Sequence, residues 1–275
     1  MSDFMKDQAE SLRRIMAVPK PRIISIFSAA GPQDKSRTLP NLAASLNRHG
    51  KDVLVVHAAE NSSEMLENYG IAINSTLLDG VQRGQPLENE IRVSAQGFSV
   101  ARLMPQLHMG RLDGMLTMAL NEVMTELAGR HDIVLVDAAL TDEGVLPLAC
   151  LNEGEIFIQL SNDPESIKSA YFLIKQVCSK LGRRGFGILV TGVSEPKAQD
   201  IYQNMAQVAR RFLGVELEFI GSIPADEDLY RAAQLGRAVI EAFPLAKASA
   251  AFKQLAQRLG YSQPNLSRVQ SSSFS

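Results

Sequence analysis

Apolar residues in this chain gather into short runs separated by longer amphipathic stretches. The runs are "RIISIF" (22–27), "DVLVV" (52–56), "FSVARL" (98–103), "DIVLVDA" (132–138), "EIFIQL" (155–160), "FGILVTGV" (186–193) and "LEFIGSIP" (217–224). Several are apolar at consecutive positions, so both faces of the strand need cover, as in a helix-flanked parallel sheet. The intervening segments are long enough for helical crossovers, "DGMLTMALNEVMTELAGR" (113–130) among them. This alternation predicts an α/β domain with a doubly wound, mostly parallel sheet flanked by helices. No internal repeat is visible.

The two ends read differently. Residues 1–20 form an arm that closes on "VPKPR", where Pro19 and Pro21 end any helix and space the arm from residue 21 onward. Within the arm, "DQAESLRR" (7–14) runs into "IMAV". In a helix Ala9, Leu12, Ile15 and Met16 share one side, with Gln8, Arg13 and Arg14 as the polar rim. So short a helix is marginal alone in water. Two readings follow: it docks on its own domain, or it folds into a partner's groove. Residues 262–275, "SQPNLSRVQSSSFS" with its first residue at 262, carry too little apolar content to fold alone and are predicted disordered. The predicted α/β domain is 21–261.

Composition narrows the function classes. Of 275 residues 45% are hydrophobic and 21% charged, a globular balance. The 28 basic and 30 acidic side chains leave a formal charge of -2, so no nucleic-acid partner is expected. Cys150 and Cys178 lack metal-ligand spacing and read as small buried hydrophobes in a reducing compartment. No apolar run approaches the ~20 residues of a membrane span, and the first residues lack a secretory pattern. The expectation is a soluble cytoplasmic protein.

The candidate chemistry lies in "FSAAGPQDKSRTLPNLAASL" (27–46), after the first apolar run. A phosphate-binding loop needs convergent backbone N–H groups, glycines for unusual dihedrals, a lysine for the β/γ-phosphates and a Ser or Thr for magnesium. Lys35 and Ser36 supply the end of that device. Ala29 stands at the first glycine position, Asp34 at the glycine before the lysine, and Pro32 has no N–H. A carboxylate ~4 Å from a phosphate charge is opposed by roughly 4 kcal/mol at an effective dielectric near 20. The residues alone leave open a working phosphate site or a strand–helix connection carrying a Lys-Ser pair.

These stretches resemble the MinD/ParA-type P-loop ATPases, and within them the regulators of flagellar number and placement, the FlhG or FleN branch. The likeness covers nearly the whole chain. "KPRIISIFSAAGPQDKSRTLPNLAASLNRHGKDVLVV" resembles the family's first strand, deviant P-loop, helix and second strand. "DIVLVDAAL" (132–140) is similar to its Asp-ended strand, and "NDPESIKSAYFLIKQV" (162–177) to the segment after the next one. Residues 212–259 resemble the flagellar branch in particular.

Carried over residue by residue, the resemblance implies Lys35, Ser36 and Asp137 as a residual site for ATP and magnesium. Elsewhere this chain departs from the family pattern. The signature lysine that crosses an ATP-bound dimer is Ala30. The two aspartates of the "D-A-D" pattern, serving magnesium and the attacking water, are His57 and Ala59. The adenine-reading asparagine is Thr191. Phosphoryl transfer depends on positioning and charge neutralisation, so these joint changes point to a pseudo-ATPase with no assigned catalytic residue. His57 reads as a packing or solvent-edge histidine, with substitute base as the alternative; His49, His108 and His131 form no cluster with it.

The arm, by contrast, matches. "DQAESLRR" is similar to the "DQAxxLR" activator element, which in that family binds the signal-recognition-type GTPase FlhF and stimulates GTP hydrolysis. The resemblance implies Asp7, Gln8, Ala9, Leu12 and Arg13 as partner-binding residues, with Gln8 completing the partner's catalytic site. It also implies a flagellar transcription regulator as a further partner and a location at the cell pole through partners. Residues 246–259 correspond to the domain's closing helix, so neither membrane recruitment nor more than a monomer or weak homodimer is expected. Two alternatives stand beside this reading: a slow ATPase with an ATP-dependent dimer and membrane switch, and a ParA-like DNA-binding protein.

Overall fold

The computed structural model describes residues 22–58, 71, 73–104, 112–141 and 143–261. Eight strands form one sheet: β1 (Arg22–Ser28), β2 (Val53–His57), β3 (Ile91–Val93), β4 (Ser99–Arg102), β5 (Ile133–Asp137), β6 (Glu155–Ser161), β7 (Phe186–Thr191) and β8 (Leu217–Ile223). Their order is β3-β4-β2-β5-β1-β6-β7-β8, and every pair is parallel except β3 with β4. Seven strands fall on the seven apolar runs, with ends shifted by a residue or two. The antiparallel edge strand β3 has no counterpart among those runs. Its three residues are too few to show a period, and Arg92 and Val93 are exposed.

The helices are α1 (Pro32–Arg48), α2 (Leu77–Arg83), α3 (Gly114–Arg130), α4 (Ala149–Glu153), α5 (Pro164–Leu181), α6 (Glu195–Leu213), α7 (Glu227–Gln234), α8 (Val239–Ala242) and α9 (Lys247–Tyr261). They form a layer on each side of the sheet because β-strand side chains alternate. Ile24, Ile26, Val53, Val55, Ile133 and Leu135 pack with Leu39, Leu42 and Leu46 of α1 and Phe252 of α9. Leu54, Val56, Val134, Val136, Ile156 and Ile158 pack with Leu120 of α3, Ile174 of α5 and Met205 of α6. Strands buried on both faces thus give the continuous apolar runs of the sequence. At β7 the packing admits no side chain: a Cβ on Gly187 would lie 2.5 Å from Phe157 Cδ1 and 2.7 Å from Ile220 Cγ1.

Helix starts follow short polar signals. Thr76 and Asp79 form a capping box at α2, Asp113 accepts from Leu116 N–H at α3, and Asp163 from Ser166 N–H at α5. Asp226 receives the Ala248 N–H at 2.8 Å and so ties the start of α9 to the chain after β8. A buried bidentate pair, Arg22 with Glu155, joins β1 to β6, and Arg22 also donates to the Leu259 carbonyl of α9. This clamp fixes the end of β1 from which the arm departs. Among the described residues no helix is long and apolar enough to cross a membrane.

Candidate functional site at the carboxyl edge of the sheet

The chain winds outward from β1 in both directions, with β5 on one side and β6 on the other. In open α/β sheets the crevice at the carboxyl ends of such strands is where ligands bind. The ends of β2, β5, β6 and β7 contribute His57, Asp137, Gln159 and Thr191 there. His57 and Asp137 continue the alternation of Val53, Val55, Ile133 and Leu135, so both lie on the α1 face. Gln159, on that face too, donates to Thr38 Oγ1 of α1 at 3.0 Å.

β2 and β5 are in register at their last residues, His57 opposite Asp137. Nδ1 of His57 lies 3.0 Å from Oδ2 of Asp137, and the two side chains are only 3% and 1% exposed. The contact is at ion-pair distance and joins the two strand ends. Backbone bonds hold both ends: Ala58 N–H donates to the Asp137 carbonyl and Leu103 N–H to the His57 carbonyl. Asp137, implied by resemblance as a magnesium ligand, therefore lies against His57. His57 itself is a buried partner, and its place is not at the solvent edge.

The loop between β1 and α1 is Ala29, Ala30 and Gly31, because α1 already begins at Pro32. Proline suits a helix's first position, where its missing N–H is not needed by the ladder. Four amides at a helix N-terminus have no helical partner, here those of Gly31 to Asp34. Pro32 contributes none, and the Asp34 N–H donates to the Gly31 carbonyl at 3.1 Å. Asp34 brings a carboxylate into the first turn; the helix dipole favours an acid there by about 0.3–1 kcal/mol. Its Oδ2 is 3.5 Å from Thr191 Oγ1, at the limit of hydrogen bonding, while that hydroxyl donates to the Leu160 carbonyl at 3.3 Å. Further along, Pro40 offers no N–H to the Ser36 carbonyl. Thr38 and Asn41 donate instead to the carbonyls of Asp34 and Arg37.

Lys35 and Ser36 lie in the first turns of α1, on the same side of the sheet as Asp137. Asp7, Gln8, Ala9, Leu12 and Arg13 lie outside the described residues. No group of three or more His, Cys, Asp or Glu side chains converges on a metal position among the described residues. The cysteines are free, and burial pushes the Cys150 thiol up to about 11 and the Cys178 thiol in the same direction. Both are held as thiols at neutral pH. The His57–Asp137 pair escapes a reading of the sequence because it depends on strand register. A signal exists all the same: "VLVVH" and "IVLVD" are equal runs, each ending in one polar residue.

Comparisons with known proteins agree with this architecture. Residues 24–239 match the family model of the CobQ/CobB/MinD/ParA nucleotide binding domain. The antiactivator FleN of Pseudomonas aeruginosa is 28% identical over 250 residues, covering 86% of each chain. Among solved structures, the MinC:MinD cell division protein complex of Aquifex aeolicus superposes with a TM-score of 0.66 at 22% identity, covering 88% of this chain and 97% of that one. MinD with Mg-ADP from Pyrococcus horikoshii gives 0.64 at 20% identity, covering 87% and 96%. With the family model spanning most of the chain and a doubly wound sheet of the MinD kind, this protein belongs to the CobQ/CobB/MinD/ParA family of nucleotide-binding-fold proteins.

Proposed function

We propose that the chain is a regulator of flagellar number or placement of the FlhG/FleN kind, acting through partner proteins without an ATP cycle. The His57–Asp137 pair carries this reading. Asp137 is the carboxylate best placed for magnesium, and a buried imidazole stands 3.0 Å from it. The N-terminus of α1 adds to this. Of its four free-standing amides one is absent and one is spent, and the Asp34 carboxylate adds a negative charge to that first turn. Such a donor set does not fit a nucleotide triphosphate with its magnesium, and no hydrolytic step is routed through it.

The likeness to the antiactivator FleN supports the flagellar assignment. The arm's "DQAESLRR" supports an action on an FlhF-type GTPase, in which the Gln8 amide orients the attacking water, as glutamines do in other GTPases. A flagellar transcription regulator is the second partner, and recruitment by these partners brings the protein to the cell pole.

The test is the GTP hydrolysis rate of an FlhF-type partner with and without the full chain. Wild type accelerates hydrolysis, and Gln8→Ala returns it to the basal rate while the α/β domain keeps its melting temperature. A Gln8→Ala protein that stimulates as well as wild type refutes the assignment.

A further inference from the structure

Between α5 and α6, on the face opposite α1, runs an apolar groove of about 450 Å³. Ile201 and Met205 of α6 form its floor, and Ile167, Tyr171 and Val208 its walls. Val208 is 41% exposed, and Phe212, one turn further along α6, is 64% exposed. Ile201, Met205, Val208 and Phe212 make a stripe at i, i+4, i+7 and i+11, roughly 16 Å long at 1.5 Å per residue. Lys168 of α5 lines the groove and pairs with Glu165 at 3.7 Å, and Lys175, seven positions on, is exposed. Ile201 and Met205 are buried at the base of this stripe, while Val208 and Phe212 are exposed.

The arm repeats that spacing. Met5, Ala9, Leu12 and Met16 also stand at i, i+4, i+7 and i+11, and Asp3, Asp7 and Glu10 line one flank. Two helices with the same apolar period pack side by side with their stripes in contact. The acids of the arm then meet the lysine rim of α5.

The connection reaches. α5 follows β6 and α6 follows β7, so both helices end at the amino edge of the sheet, where Arg22 opens β1. From β1 to β7 is two strand spacings, roughly 10 Å, and a helix seated over the α5–α6 layer lies on the order of 17 Å out of the sheet, a diagonal of about 20 Å. The six Cα steps from Met16 to Arg22 extend over about 20 Å, just enough for that diagonal. A helix entering from that edge by its carboxyl end runs parallel to α5 and α6. Met16 then lies near Phe212 and Met5 near Ile201.

We propose that residues 5–16 dock in the groove between α5 and α6 of their own chain. The docked arm buries Leu12 and Met16 and is withheld from any partner that needs the same face. The docking stands on the groove and the spacing; its regulatory meaning rests on the activator reading of the arm.

Disulfide trapping in the full chain tests it. Leu12→Cys with Val208→Cys, in a background with Cys150→Ser and Cys178→Ser, is oxidised at micromolar protein. A control pairs Leu12→Cys with Val93→Cys, on the far edge strand. A tether of this length gives millimolar effective concentration, so the groove pair closes within one chain about a hundredfold faster than chains cross-link to each other. Equal trapping at Val93, no trapping at Val208, or a cross-linked dimer overturns the proposal, the last by making a second copy the occupant. Trypsin gives an independent reading: Val208→Asp, at a half-exposed position, speeds cleavage after Arg13 and Arg14 at least about tenfold if the arm is docked, and an unchanged rate counts against it. Neither readout involves GTP hydrolysis, so a failure here leaves the Gln8→Ala result standing, and the reverse.

Discussion

Replacing His57 with alanine removes the imidazole 3.0 Å from Asp137 Oδ2 at a place almost closed to solvent. Taking a polar neighbour from a buried polar group costs about 1–3 kcal/mol, and an unfilled buried volume adds to the loss. Asp137 keeps a further interaction, so the cost stays below the 3–5 kcal/mol of a wholly uncompensated buried charge. The resulting figure is about 2–3 kcal/mol. In a domain of this size about 1 kcal/mol moves the melting temperature by 2–4 °C, so His57→Ala should melt about 4–12 °C below wild type. His57→Asp sets a second carboxylate against the first. At ~4 Å and an effective dielectric near 20 that repulsion is about 4 kcal/mol, so His57→Asp should be less stable than His57→Ala. Urea and thermal unfolding followed by circular dichroism measure both. A loss under about 1 kcal/mol for His57→Ala, or a His57→Asp variant as stable as wild type, refutes the claim that this pair holds the strand ends together.

Further predictions concern the frame around the site. Arg22→Ala strands Glu155 in the interior and should cost about 3–5 kcal/mol in urea unfolding, whereas Arg22→Met with Glu155→Leu should be near neutral or stabilising. A double variant as damaged as the single one would contradict that account. Gly187→Ala drives a methyl into Phe157 and Ile220 and should lower stability by about 1–3 kcal/mol, with wild-type stability as the contrary result. Cys150, its thiol pushed up to about 11 by burial, should resist iodoacetamide at pH 8 in the folded protein and react promptly in urea; equal rates would contradict the burial.

Much of the sheet was legible in the sequence because parallel strands covered on both faces are written as unbroken apolar runs. The helix 113–130 differs from α3 by one residue, since Asp113 marks its cap. β3 was not legible: three residues with two exposed leave no period. The start of α1 was missed for a different reason. Pro32 was read as a loop residue lacking an N–H, although proline at a first helical position is also a start signal. The site was legible by residue type and not by pairing. His57 and Asp137 meet only because β2 and β5 are neighbours in register, with β5 inserted between β1 and β2, and no local pattern encodes that adjacency.

The most direct test of the central claim, that this family member works without a nucleotide cycle, is calorimetric titration of the full chain with ATP and magnesium. The account predicts no saturable heat, corresponding to a Kd weaker than about 1 mM, or less than about 4 kcal/mol of binding free energy. A Kd in the micromolar range, about 8 kcal/mol, would contradict it and show that α1 and the His57–Asp137 pair rearrange around a bound nucleotide.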